Sequence, residues 1–311
     1  MKRRRARTNM KQWTIDETQI NERIDKMIVL LHGDTSRTHV QKWIQDGLVT
    51  VNEQVIKANY KVQQGDVIDV SEPELVSTEV KAENIPLDVV YEDADLIVVN
   101  KPRGMVVHPA PGHSSGTLVN ALLYHCTDLS GINDEVRPGI VHRIDKDTTG
   151  LIVAAKNDHA HEHLSKQLMN KTTKRQYKAI VHGVLSHKKG TIDAPIGRDL
   201  KDRQKMAVTD KNSKQAVTHF TLEETFRAFS YVTCELETGR THQIRVHFQY
   251  IEHPLAGDPK YGYKKTLPIA GQALHAETLG FVHPRTNEEL LFTAPVPEDM
   301  ETLLQDLRKQ D

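Results

Sequence analysis

Residues 142–155, HRIDKDTTGLIVAA, join a dense polar cluster to an apolar run that predicts a buried strand. An Arg, an Asp and two Thr at the mouth of a strand form a suitable site for chemistry on a polar substrate. Asp145 is the candidate nucleophile, because the cations Arg143 and Lys146 favour the ionised form that a nucleophile requires. A capped turn explains the same residues, since Asp and Thr are ordinary loop residues and Gly150 would then supply only a special φ angle. The cluster by itself leaves both interpretations open.

The segment GRTHQIRVH, residues 239–247, is a second polar cluster. Its alternation predicts a strand over residues 241–248, with Gln243 and Arg245 on one polar face and His242 on the other. That polar face either lines a cleft or faces solvent, and the pattern does not decide between the two.

Two further segments have weaker signals. In KRQYKAIVHG, residues 174–183, Tyr177 shares a face with apolar residues, so its ring is predicted to point inward, and a core tyrosine is the simplest interpretation. The segment NKPRGMVVHPAPG, residues 100–112, is a Gly- and Pro-rich loop with the cations Lys101 and Arg103. Such a loop can approach a phosphate backbone closely, although alone it is a weak indication.

The first 70 residues have the pattern of a small compact domain. Apolar residues with the spacing of one helix face predict a first helix that ends near Gly33. Ser36 is a candidate N-cap for a second helix, and Gly47 lies where that helix would end. The segments LVTVNEQVIK and VQQGDVIDV then predict a hairpin and a strand. The basic side chains on the two helices are either a solvated face or an RNA-binding surface; they are Arg23, Lys26, Arg37 and Lys42.

Composition limits the class of protein. A chain of 311 residues has room for about two domains. The net charge of −1 is low for a nucleic-acid-binding protein, so any positive charge for RNA must be local. The first eleven residues carry six basic and no acidic side chains. They are either an arm that contacts phosphates or a solvated segment with no specific role. No apolar run approaches the ~18 residues of a membrane span, and two cysteines do not indicate a disulfide framework, so a cytoplasmic location is expected.

Neither a metal site nor a cofactor site is predicted. Among the 17 histidines, His159 and His163 have the spacing of helical ligands, on a helix predicted over 158–169 with Asp158 as its N-cap. No carboxylate or Cys completes a ligand set by its spacing. The sequence has neither GxxxxGK[ST] nor a GxGxxG that opens a helix, so no nucleotide cofactor is expected.

Two resemblances combine these segments. Residues 18–80 resemble the S4 domain, the RNA-binding module of ribosomal protein S4, in the order of an SR-x₃-Q helix, a G-x-V-x-VN hairpin and a YKV-x₂-GD turn. Residues 18–300 as a whole resemble the RluA-type pseudouridine synthases that carry an N-terminal S4 domain. The segments that carry this second resemblance are, in order, NKPRGMVVHP, HRIDKDTTG, KRQYKAIVHG, GRTHQIRVH, GDPKYG, ALHAETLGFVHP and FTAPVPEDM. HRIDKDTTG departs from the family signature HRLDxxTSG only mildly, at Ile144 and Thr149.

The resemblance implies an α+β fold with a small S4 domain and a catalytic domain built on a mostly antiparallel central sheet. The expected organisation is a basic disordered arm over 1–15, an S4 domain over 16–80, a linker over 81–86 and a catalytic domain over 87–311. The expected activity is the conversion of uridine to pseudouridine in RNA, without a cofactor.

The resemblance also implies roles for single residues. Asp145 would be the catalytic aspartate, Arg245 would pair with it, and Tyr177 would lie against the target base as a stacking partner and proton acceptor. Arg143 would enter the space that the uridine leaves. The side chains expected to contact RNA are Arg143, His142, Lys101, Arg240, His242, Gln243, Arg37, Lys42 and Arg23.

Large-subunit (23S) ribosomal RNA is the expected partner, bound by a monomer that has no contact with a membrane. Two alternatives are a pseudouridine synthase that modifies tRNA and a ribosome assembly protein without catalytic activity. The second would be marked by the loss of Asp145, Tyr177 or Arg245, and all three are present.

Overall fold

The computed structural model describes residues 9–33, 35–72, 80–110, 113–126, 128–131, 138–202 and 204–310. The chain forms two compact units, Met1–Thr78 and Glu79–Asp311. No helix in the described ranges is long and apolar enough to cross a membrane.

The N-terminal unit packs two helices against a four-stranded antiparallel sheet whose strand order is β1-β4-β2-β3. Its elements are β1 (Asn9–Thr14), α1 (Ile24–His32), α2 (Arg37–Gln45), β2 (Val49–Val51), β3 (Gln54–Val55) and β4 (Val67–Glu72). The predicted helices are confirmed. Ser36 accepts a hydrogen bond from the His39 amide at 3.3 Å, and Gly33 ends α1 with a φ angle of +82°.

Part of the arm predicted over residues 1–15 is wrong. Residues 1–8 lie outside the described ranges, but Asn9–Thr14 is a strand that pairs with β4 along its whole length. The reason is that Trp13 packs on the core of this unit and Ile15 is fully buried in it. Lys11, one of the six basic residues that suggested an arm, therefore lies in a strand.

The C-terminal unit is built on a nine-stranded sheet in the order β5-β6-β7-β14-β8-β13-β12-β9, with β15 paired to β14. The strands of this sheet are β5 (Val89–Glu92), β6 (Leu96–Lys101), β7 (Thr149–Ala155), β8 (Lys174–His182), β9 (Lys189–Asp193), β12 (Val217–Thr225), β13 (Phe229–Leu236), β14 (Leu274–Val282) and β15 (Glu289–Thr293). A separate ribbon pairs β10 (Ile196–Arg198) with β11 (Met206–Val208). The helices are α3 (Leu118–His125), α4 (Asp158–Met169), α5 (Gln243–Tyr250) and α6 (Glu298–Gln310). Asn157, not Asp158, caps α4, because its side chain accepts from the Ala160 amide at 3.0 Å.

The sheet is antiparallel, as expected, except where β7 runs parallel to β14 at Thr149 and Gly150. Gly150 has a φ angle of +109°, and a Cβ at this position would lie 2.2 Å from the carbonyl oxygen of Ala276. Only glycine allows this approach of the two backbones. Both faces of β7 are buried: Ile152 packs in the cluster of α3 and Tyr177, whereas Val153 packs in the cluster of α4.

The strand predicted over 241–248 is wrong, because Gln243–Tyr250 is the helix α5. Residues 243–248 are all buried, the polar ones included. A helix that is buried on most of its sides has no continuous polar stripe, so the alternation of polar and apolar residues was not a guide to its secondary structure. Ile244 and Phe248, four residues apart, pack together in the main core.

Candidate active site

A cleft of about 340 Å³ lies between the loop that precedes β7, the strand β8 and the beginning of α5. Its volume is in the range of small-ligand sites. The side chains that line it include Asp145, Tyr177 and Arg245, which the sequence placed in three separate segments. Its other lining residues are Val141, His142, Arg143, Ile144, Thr148, Leu168, Met169, Arg175, Leu236, Gly239, Arg240, His242, Gln243, Ile244 and Leu274.

The loop that carries Asp145 is held by hydrogen bonds at its far end. The Lys101 ammonium donates to the carbonyl of Lys146 at 3.0 Å, and the Gln272 amide donates to the Thr148 hydroxyl at 3.0 Å. Arg103 donates to the carbonyls of Asp147 and Gln272. The carboxylate of Asp145 is therefore presented by a fixed backbone rather than by a free loop.

Arg245 connects two carboxylates. Its Nη1 donates to Oδ2 of Asp145 at 2.8 Å, and its Nε and Nη2 donate to the two oxygens of Asp258 at 2.7 and 2.8 Å. Although burial disfavours its charge, Asp258 and Asp145 raise the pKa of Arg245. One cation thus serves two anions, so the group formed by Asp145, Arg245 and Asp258 carries one net negative charge.

Asp258 orients this arginine. It is buried, and its Oδ1 also accepts from the amides of Lys260 and Tyr261 at 2.9 and 3.0 Å. Burial raises the pKa of Asp258, but the bonds from Arg245 and the two amides outweigh it and leave the pKa below its usual value. No separate role for Asp258 was predicted from the sequence. Its signal was GDPKYG, one of the segments of the family resemblance.

His242 faces the second oxygen of Asp145. It precedes α5 in the left-handed region with a φ angle of +58°, and its Nε2 lies 3.8 Å from Asp145 Oδ1. Its Nδ1 lies 2.8 Å from the Tyr261 hydroxyl, which accepts from the Met206 amide. Burial lowers the pKa of His242, so the ring is neutral at pH 7. A Tyr261 hydroxyl that donates to Nδ1 would place the ring hydrogen of the neutral imidazole on Nε2, on the side of Asp145.

Tyr177 is buried on β8 and lines the cleft, as predicted. Burial raises its pKa, Asp145 raises it further, and Arg175 opposes both. The phenol therefore stays protonated at neutral pH, which suits a ring that stacks and a hydroxyl that donates. A protonated phenol is a poor proton acceptor, so this part of the expected role has no electrostatic support.

The family model described as RNA pseudouridylate synthase matches residues 95–250, and the S4 domain model matches residues 22–68. An uncharacterized RNA pseudouridine synthase of Bacillus subtilis is 62% identical over 95% of this chain and 97% of its own length. The chain belongs to the RNA pseudouridylate synthase family.

Other relatives agree with this family. The ribosomal large subunit pseudouridine synthase D of Pseudomonas aeruginosa is 44% identical over 93% of this chain and 92% of its own length. Human RNA pseudouridylate synthase domain containing 1 has a similar fold, with a TM-score of 0.57 and 24% identity over 76% of this chain and 97% of its own. The synthase is an RNA isomerase with an N-terminal S4 domain, as the sequence predicted.

Two residues of the synthase that were expected to contact RNA are enclosed by protein. Lys101 is 1% exposed, and its ammonium donates to the carbonyls of Pro102, Met105 and Lys146 at 2.9 to 3.0 Å. Gln243 is 3% exposed, and its amide bonds to groups of β12 and of the loop before α5. Both expectations are therefore corrected, since these side chains fix the loops around the cleft.

Other expected contacts lie at the cleft. Arg143 is exposed at its edge, with Nη1 3.3 Å from Nε2 of His108. His142 accepts from the Val153 amide at 3.1 Å, and burial together with the charge of Arg175 lowers its pKa to about 3, so it is neutral. Arg240 is half-buried and donates to the carbonyl of Gln215 at 2.9 Å.

In the S4 domain, the expected RNA contacts surround a buried acid. Asp25 is fully buried, and its carboxylate accepts from Arg23 and Arg37, each at 3.0 Å, and from Gln41 at 2.7 Å. Burial raises the pKa of Asp25, but the bonds from Arg23, Gln41 and Arg37 reverse the effect and lower it strongly. Lys42 is exposed on α2. The two arginines are thus held in position while about half exposed to solvent.

Two groups of side chains in the described ranges have the geometry of metal ligands. They are Glu92, His125 and Cys126, and Asp93, Asp95 and His283. In the first group Glu92 is already paired with Lys156 at 2.9 Å, and in the second Asp95 is paired with Arg285. Neither group includes a residue that lines the cleft. His159 and His163 stack on each other, and His163 also bonds to Gln167.

Proposed function

We propose that this synthase isomerises uridines of large-subunit ribosomal RNA, with Asp145 as its nucleophile. The observation that carries the proposal is the position of the Asp145 carboxylate. Arg245 holds Oδ2 at 2.8 Å, while Oδ1 faces the cleft with His242 at 3.8 Å. One oxygen is therefore fixed and the other is available to a substrate. The choice of RNA is supported by relatives that are named ribosomal large subunit pseudouridine synthase D.

The reaction explains the types of residue in the cleft. Breaking the N1–C1′ bond leaves an electron-poor C1′, which a carboxylate can trap or stabilise, as in glycosidases. The target base must leave its stack before it can turn, so the cleft has to accept an extruded nucleotide. Tyr177 offers a stacking surface for the base, and Arg143 lies at the edge where it can replace the base in the RNA stack. Asp145 either adds to C1′ or removes the 2′ proton to give a glycal; a trapped sugar adduct on Asp145 would exclude the second route.

The test is tritium release from 23S ribosomal RNA labelled with [5-³H]uridine, with the parent chain compared with Asp145→Asn. The substitution keeps the shape of the side chain and deletes its charge. We expect release by the parent and a loss of at least about 10⁴-fold in the variant, as for removal of a catalytic nucleophile. Equal release by both would contradict the assignment of Asp145. Binding without release by either would point to another RNA, and tRNA would be tested next.

The cellular target follows from a map of modified positions. In cells that lack the protein, we expect pseudouridine to disappear from positions of large-subunit ribosomal RNA and to remain in tRNA. The reverse result would support the tRNA alternative. We further propose that the synthase acts in the cytoplasm and that it is a monomer. Sedimentation of the purified chain tests the monomeric state directly.

A further inference from the structure

Arg175 is a buried cation that has no partner in the part of the chain that the structure describes. It is 7% exposed, and its Nε is enclosed without a hydrogen-bond acceptor. No ion pair or side-chain hydrogen bond satisfies its guanidinium among these residues. Burial of a charge without a partner is strongly unfavourable, so such a residue is unexpected in a structure selected for stability alone.

The guanidinium lies in the wall of the catalytic cleft. Arg175 and Tyr177 are two residues apart on β8, so their side chains leave the same face of the strand, and both line the cleft. A Cβ at Gly239 would lie only 2.7 Å from Nη1 of Arg175. Because Gly239 has no side chain, the guanidinium of Arg175 can lie close to the backbone at this position.

Arg245, another arginine of the cleft, is fully engaged. Arg245 donates to both Asp145 and Asp258, and it has a structural reason for its burial. Arg175 has no bonded carboxylate that would account for its burial, and yet its charge acts on a neighbouring side chain of the cleft. Its charge opposes the rise that burial causes in the pKa of Tyr177. A free buried cation beside the stacking surface indicates a ligand that is anionic for part of the reaction.

The reaction generates such an anion. When the N1–C1′ bond breaks, its electron pair leaves with N1 and spreads over N1, O2 and O4 of the base, while the Asp145 carboxylate bonds to C1′. When C5 bonds to C1′, the carboxylate leaves with its electron pair; C5 then loses its proton to a base and N1 gains one. Between these steps the detached uracil is a monoanion. A preorganised cation in a site with little water stabilises developing charge of this kind.

We infer that Arg175 binds the carbonyl oxygens of the detached uracil anion and stabilises it as a leaving group, an inference that rests on the proposed function. A backbone phosphate is the competing anion. The phosphates on both sides of an extruded nucleotide remain connected to the RNA strand and thus stay at the mouth of the cleft, whereas the base reaches its wall. The cations at the mouth are Arg143 and Arg240, of which Arg143 is exposed. Arg175 is too deeply buried to share that position.

The test compares Arg175→Met and Arg175→Lys with Lys174→Met as a matched control, an exposed cation next to it in sequence with its side chain on the opposite face. Single-turnover tritium release at saturating enzyme, the affinity for the same RNA and the melting temperature are measured for each full-length variant. We expect Arg175→Met to slow release by about 100-fold, the usual effect of removing one such donor. Its RNA affinity should stay within about threefold, and Arg175→Lys should regain about tenfold in rate, because a charge-assisted contact is restored.

Melting separates this role from a structural one. Since Arg175→Met removes an unpaired buried charge, we expect its melting temperature to equal or exceed that of the parent. A rate within about threefold of the parent, or a loss of affinity with the rate intact, would overturn the inference; the second result would assign the cation to phosphate. A lower melting temperature in Arg175→Met together with a slow Arg175→Lys would make Arg175 structural. A parent chain that releases no tritium would instead overturn the proposed function.

Discussion

Asp258 sets the direction of Arg245, and Arg245 in turn sets the direction of Asp145. Because Asp258 takes two of the three bonds, the guanidinium has one orientation in which Nη1 points to the Asp145 carboxylate. The stacked ring of Tyr261, 5.0 Å from the guanidinium carbon, supports the same plane. The Asp145 carboxylate, the proposed nucleophile, is therefore positioned by an acid whose own side chain is fully buried.

Asp258→Asn tests this dependence. We expect a loss of about 100-fold in turnover, because a shift of about 1 Å at the reacting atoms has such an effect. We also expect a loss of about 3 kcal/mol in the free energy of unfolding, as for a broken buried ion pair. Asp299→Asn is the control, since Asp299 pairs with Arg103 while 41% exposed, and should cost less than about 1 kcal/mol.

The stability difference between the parent and Asp258→Asn should depend on pH. The folded pKa of Asp258 lies below the unfolded value of about 3.9, so the carboxylate stabilises the fold above that pH. The contribution is lost as pH falls through the lower, folded pKa. Urea titrations at several pH values should show a full difference above about pH 5 and a shrinking one in acid. A difference that grows in acid would contradict the assignment.

At the scale of elements, the contact between β7 and β14 lies at the first two residues of β7 and so fixes the end of the loop that carries Asp145. Gly150→Ala should disrupt it, since its φ angle of +109° and the Ala276 carbonyl both exclude a Cβ. We expect a loss of more than about 1 kcal/mol in denaturant unfolding, together with lower activity. Gly131→Ala is the matched control, because nothing lies within 4 Å of its Cβ position, and it should be neutral or slightly stabilising. Equal effects would show that the contact is not required.

The elements that could be predicted are those with one dominant local signal. The strand at 151–155, the helix α4 and both S4 helices follow from periodicity and caps. The helix α5 could not be recognised, because residues 243–248 are buried whether polar or not, and its polar side chains bond to distant groups. Asp258 could not be recognised for a similar reason, because Arg245 reaches it only when α5 packs against the turn at 257–262. Lys101 was assigned to RNA because sequence shows its charge and not the three carbonyls that enclose it.

At the scale of the whole molecule, the S4 domain and the residues that line the cleft belong to different units. The S4 domain has its own core, and the cleft is lined entirely by the unit Glu79–Asp311. With a net charge of −1, the chain cannot rely on overall attraction to RNA, so the S4 domain should provide much of the affinity.

Deletion of Met1–Thr78 tests this division. We expect the affinity for ribosomal RNA to fall by about 100-fold, as for the loss of one of two linked binding modules. The single-turnover rate at saturating enzyme should stay within about threefold of the full chain, because the cleft keeps all its residues. Lys42→Ala in the full chain should lower the salt dependence of binding by about one ion. Unchanged affinity of the shortened chain would count against the S4 domain as the RNA-binding module.

The buried carboxylate of Asp25 reverses the usual expectation that fewer acidic groups in an RNA-binding domain mean tighter binding. An engineer who wished to make the S4 domain grip RNA more tightly would remove its acids, and Asp25, between two arginines, would be an obvious choice. Removing it would release Arg23 and Arg37, each with about 2 kcal/mol of rotamer entropy that RNA would then have to overcome. On the proposed role of Arg23 and Arg37 in RNA binding, the more basic surface would be the weaker binder, because Asp25 holds both guanidinium groups in one orientation before RNA binds.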